Sequence, residues 1–99
     1  MKSISFDWDE KKAESNLKKH KINFKEAQTV FSYPNARMIF DPEHSEGKDR
    51  FILLGIRISS GLRLLVVCHC YQEDDMVIRI ISARKANKCE QTQYRSFLL

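Results

Sequence analysis

The chain has 99 residues, 17 Lys and Arg against 13 Asp and Glu, and a formal net charge of +4. That length suits one domain over residues 1–99, too small for a second, and the basic balance favours an acidic partner such as nucleic acid. No apolar run reaches the length of a bilayer span, and the opening MKSISFDWDEKK lacks the apolar centre of a signal peptide, so a soluble protein is expected. Three cysteines cannot all pair within one chain. Reduced thiols and a cytoplasmic location are therefore expected.

Asp7 and Glu10 have the spacing of a capping box, which predicts a first helix with Ala13, Leu17 and His20 inward. Phe6 and Trp8 read as core anchors, and Lys11, Lys12, Lys18 and Lys19 make the helix surface basic. Asn23 with Glu26 forms a second box, flanked by Ile22 and Ala27 as a hydrophobic staple. A second helix should start after Asn23, bury Phe24, Ala27, Val30 and Phe31, and break before Pro34.

Residues 36–40 predict a first strand, followed by an open charged loop, DPEHSEGKD. Residues 51–58 and 62–71 predict the next two, joined by a turn at 59–61; the latter is apolar on both faces and belongs near the centre of the sheet. After an acidic turn at 72–75, the run MVIRIISARKA predicts a fourth strand, antiparallel to the third. Alternation there puts Met76, Ile78 and Ile80 on one side and Val77, Arg79 and Ile81 on the other. Asn87 with Glu90 opens a last helix, with Tyr94, Phe97 and Leu98 on its apolar edge. The expected fold is α+β: two helices, a four-stranded antiparallel sheet and a closing helix.

Arg79 sits mid-strand, where its charge must meet a carboxylate, a phosphate or solvent. His69 shares the parity of Arg63, Leu65, Val67 and Tyr71, so a titratable group is expected on the sheet face that carries Arg79. Arg50 stands where loop becomes strand, although Glu46 and Asp49 lie close in sequence. Arg84 and Lys85 precede the last helix and suit phosphate contacts, whereas His20 suits a helix C-terminus. The triplet Cys68-His69-Cys70 splits its side chains between two faces of a strand, and His44 lacks a spaced partner, so no metal site and no cofactor are expected.

The run IRIISARKANKCEQTQY, with Glu90 and Tyr94, resembles the C-terminal signature of BrnT-type toxins, and FDWDEKKAESNLKKHKINFKEA resembles their opening pattern. Arg50, Gly55 and the LLVV strand fall between the two in matching order. The resemblance implies a RelE-like fold and a metal-independent endoribonuclease toxin of a bacterial toxin–antitoxin pair. Arg79, His69 and Arg50 would be catalytic; Arg84, Lys85, His20 and Tyr94 would bind RNA. The implied partner is a BrnA-like ribbon-helix-helix antitoxin, with operator DNA reached only through it and no membrane contact. A toxin-like binding module that joins antitoxin and operator without cleaving RNA is the alternative. The chain departs from the pattern in having Lys21 where glycine is frequent, Gln72 where a basic residue is frequent, and Asn87 for threonine.

Overall fold

A computed structural model describes residues 4–41, 47–56 and 63–98. In chain order they form β1 (Ser5–Asp7), α1 (Glu10–His20), α2 (Phe24–Val30), β2 (Arg37–Asp41), β3 (Arg50–Ile56), β4 (Leu64–Gln72), β5 (Val77–Lys85) and α3 (Lys88–Leu98). The strands lie in the order β1-β5-β4-β3-β2, with β1 parallel to β5 and the other pairs antiparallel. The expected four-stranded antiparallel sheet is thus corrected to a five-stranded mixed one. Three residues are too few to display alternation, so β1 is specified by pairing: Ser5, Phe6 and Asp7 lie opposite Val77, Ile78 and Arg79. The expected turn at 59–61, and residues 42–46 of the expected loop with His44 and Glu46, fall outside the described residues.

Caps place the helices. The Asn23 side chain accepts the Glu26 N–H at 2.7 Å, and Asn87 and Glu90 exchange bonds of 2.8 and 2.9 Å, as their spacing predicts. α1 departs from expectation: its N-cap is Asp9, which accepts the N–H groups of Lys11 and Lys12 at 2.8 and 3.2 Å. Asp7 cannot serve because its backbone is committed to β1. At the other end, Lys21 closes α1 in the left-handed region, at φ 62°, with its N–H on the Leu17 carbonyl. Glycine adopts that conformation without a Cβ penalty, which a lysine does not escape.

One face of the sheet is covered by α1 and α2. Leu53, Leu65, Val67, Ile80 and Ala83 meet Ile22, Phe24, Ala27 and Val30 there. Gly55 on β3 makes the approach close enough, since a Cβ would fall 2.9 Å from Ala36 Cβ and from Val30 Cγ1. The inward residue of α1 is not Leu17, which is 47% exposed, but Asn16, at 6%. Its Nδ2 donates to the carbonyls of Ala83 (2.8 Å) and Ile22 (2.9 Å), and its Oδ1 accepts the Ala83 N–H at 3.0 Å. A side-chain amide thereby serves the β5 backbone as a neighbouring strand would. On the opposite face α3 lays Tyr94 over Leu54, Val66 and Ala86, and the other described residues leave the rest of that face open. No helix among the described residues is long and apolar enough to cross a membrane.

Candidate active site on the open face

A single irregularity in β5 decides which side chains meet. Cys68 lies opposite Ser82 but His69 lies opposite Ile80, so Ile81 has no opposite number and forms a β-bulge. In an unbroken strand Arg79 and Arg84 would face opposite ways. The extra residue inverts the alternation, and both arginines fall on the open face, Arg79 opposite Cys70 and Arg84 opposite Val66. His69 goes the other way. Its ring is fully buried on the helix face, edge-on to Phe31 and Tyr71 at centroid distances of 4.8 and 5.3 Å. The expected meeting of His69 with Arg79 on one face therefore does not occur, because β4 and β5 present them to opposite sides.

On the open face, Arg50, Asp41, Ser82 and Arg84 surround a cavity of about 190 Å³ with Ile52, Val66 and Cys68 beneath. β2 and β3 set Asp41 directly opposite Arg50. Arg84 is oriented by Glu90 of α3, which accepts from Nη1 and Nη2 at 2.8 Å each. These bonds raise the arginine's pKa and hold the Glu90 carboxyl below its ordinary range. Burial pushes the Cys68 thiol up, against the opposing charge of Arg50, so the cavity floor is neutral and its rim charged.

A second groove adjoins the cavity. Lys11, Lys12, Lys19 and His20 of α1 line it together with Ile81 and Ser82, the same two bulge residues that border the cavity. The lysine-rich helix face and the Arg50–Arg84 cavity thus meet at the bulge.

The remaining predicted residues fall elsewhere. Arg79 is half-buried and ion-paired with Asp7 of β1, so its charge already has a carboxylate. His69 bonds the Val67 carbonyl through Nδ1 at 3.2 Å, while its Nε2 has no partner among the described residues; burial lowers its pKa. Tyr94 is 3% exposed, its hydroxyl donates to the Asn35 carbonyl at 2.8 Å, and burial together with Tyr33 pushes its pKa up to about 12. No ring face is left on which a base could stack. Lys85 lines a third concavity of about 490 Å³ under α3, with Arg63 and Arg95. Sequence reasoning missed Asp41 and Ser82, which carry no local signal, and saw Glu90 only as a cap. The six-residue interval from Arg84 to Glu90 was the available clue.

A search of curated protein sequences returns no match. Among solved structures, the chain resembles the Brucella abortus ribonuclease toxin BrnT, at 20% identity and a TM-score of 0.65, over 87% of this chain and 100% of that one. At that identity the likeness concerns the fold. The family profile described as "Ribonuclease toxin, BrnT, of type II toxin-antitoxin system" matches residues 8–90, which take in α1, α2, strands β2 to β5 with the bulge, and the capping residue Glu90. On that match the chain belongs to the BrnT family of ribonuclease toxins.

Proposed function

We propose that this chain is a metal-independent endoribonuclease toxin that binds the scissile phosphate of RNA in the open-face cavity. The observation that carries the reading is the pairing of Arg50 with a Glu90-oriented Arg84 around one pocket. Cleavage through the 2′-hydroxyl needs a proton acceptor, and positive charge where the phosphorane develops. Asp41 lines the cavity and is the proposed acceptor; the two guanidinium groups supply fixed donors and charge. The groove of Lys11, Lys12, Lys19 and His20 holds flanking backbone, with Lys85 and Arg79 as outer phosphate contacts. His69 and Tyr94 support the site through packing. Type II family membership implies an antitoxin. The proposed one is a ribbon-helix-helix protein that inhibits by covering the basic open face and links the toxin to operator DNA.

The test is cleavage of a model RNA in EDTA by wild type and by Arg50→Ala, Arg84→Ala and Asp41→Asn, with melting temperatures recorded. Loss of one preorganised stabiliser lowers rate by about 10²–10³, so each variant should lose cleavage while remaining folded. Full activity in Arg50→Ala and Arg84→Ala would place the chemistry elsewhere. A folded wild-type protein that binds antitoxin yet cuts no RNA would instead favour the non-catalytic binding module.

A further inference from the structure

The two edges of the sheet are treated differently. At one, β1 is only three residues long, and beyond it Asn16 occupies the backbone of Ala83. At the other, β2 is the last strand of the sheet among the described residues. Its sequence is Arg37-Met38-Ile39-Phe40-Asp41, and the middle three residues are 47%, 36% and 48% exposed. Natural edges are usually blunted with charge, above all lysine, or with proline or a bulge; β2 has no lysine, proline or bulge, and its two charges stand at its ends, away from the apolar centre. Its apolar side chains are also held in place. Met38 Sδ accepts the Tyr71 hydroxyl at 3.4 Å, and the Phe40 ring meets Phe51 edge-on at 5.7 Å. Groups already ordered lose little entropy on association.

We propose that β2 pairs antiparallel with β2 of a second copy of this chain, about a two-fold axis through Ile39. The order of charges along the strand selects this occupant. In that register Arg37 of each copy lies opposite the partner's Asp41, Met38 lies opposite the partner's Phe40, and Ile39 meets itself. A parallel copy would set arginine against arginine, and a two-residue slip would lose both ion pairs. Asp41 already faces Arg50 across its own sheet, so the new contact places its carboxylate between two guanidinium groups. Arg37 lies over the Phe97 ring, 5.2 Å from its centroid, on the same open face.

Antiparallel joining extends the two five-stranded sheets into one of ten, with both Arg50–Arg84 cavities opening to the same side. Pairing through one five-residue strand buries little surface and belongs to the weak class, so dissociation on the order of 10 µM is expected. The pairing does not depend on nuclease activity and is read without it.

The experiment is sedimentation equilibrium of the purified full chain, without antitoxin, over about 1–300 µM, a span bracketing that constant. Wild type should pass from monomer to dimer, and Ile39→Lys, which sets like charges together at the axis, should stay monomeric. Arg37→Glu should weaken association about tenfold or more, and Arg37→Glu/Asp41→Arg should recover it. Oxidative cross-linking decides the register even if the double variant fails to fold. In a Cys89→Ser background, Ile39→Cys should form a covalent dimer with copper phenanthroline, and Arg37→Cys should not. A monomer at every concentration, a dimer indifferent to Ile39→Lys, or equal cross-linking at the two positions would overturn the proposal.

Discussion

Glu90 grips Arg84 with both oxygens, Nη1 to Oε1 and Nη2 to Oε2 at 2.8 Å each, while the same Oε1 accepts the Asn87 N–H at 2.9 Å. One carboxylate therefore starts α3 and aims an arginine at the cavity.

Two substitutions separate these jobs. Glu90→Gln retains a capping side chain but loses the charge, so at neutral pH it should lose only what the ion pair contributes to stability, while RNA cleavage falls. Glu90→Ala removes both, and should cost about 1 kcal/mol from the cap in addition. The pH dependence has a definite sign. Because Glu90 is held below its ordinary value of 4.5, its contribution is present above that pH and is lost as pH falls through the lower folded value. Urea midpoints from pH 3 to 7 should show an acid loss in wild type that is smaller in Glu90→Gln. Equal acid sensitivity would show that the ion pair adds nothing to folding.

His69 should govern acid stability in a different window. Its pKa is lowered from 6.5 by burial, so below that value the unfolded chain binds a proton that the folded one resists, and stability falls with pH. A charged ring would bury a second N–H at Nε2, where the described residues offer no acceptor. His69→Phe, set among Phe31, Phe51 and Tyr71, should flatten the fall between pH 7 and 5. An unchanged slope would mean that another group titrates there.

Lys21 adopts φ 62° at the C-cap of α1. Replacing it with glycine should stabilise the protein by about 0.5–1 kcal/mol and raise the melting temperature by a few degrees. A lower melting temperature would show that the lysine side chain contributes more than its backbone conformation costs.

Gly55→Ala should act in the opposite direction. The added methyl meets Ala36 and Val30 at 2.9 Å, one of them a backbone-anchored Cβ, so α2 must shift, at about 1–3 kcal/mol. Chemical denaturation would detect this, and a neutral result would mean that the loop before β2 yields freely.

The parts of the fold legible in the sequence were those with short-range physics. The boxes at Asn23 and Asn87 sit three residues from their partners, and four strands show apolar runs of ordinary length. β1 was invisible because its partner is some seventy residues away and its own three residues hold no period. Asp9 displaced Asp7 as the cap for the same reason, since the pairing that removes Asp7 is non-local. In the site, Arg50 and Arg84 were legible as cations near strand ends. Their company with Asp41 and Ser82 was not, because the bulge at Ile81 inverts alternation over the last part of β5, and no residue type announces it. His69 and Arg79 are parted by the register ahead of the bulge, where Cys70 rather than His69 lies opposite Arg79.

The parallel pairing of β1 with β5 has a consequence for synthesis. Asp7 waits for Arg79, and Asn16 for Ala83, separations of 72 and 67 residues. Local events such as α1 and the capped start of α2 can precede them, but loops this long close late. A chain growing from its N-terminus cannot finish the sheet until β5 emerges, and Arg84 gains Glu90 only a few residues after that. Translation halted before residue 79 therefore yields a polypeptide with neither a completed sheet nor an arginine cavity, so the nascent chain is without its proposed catalytic site for most of its own synthesis.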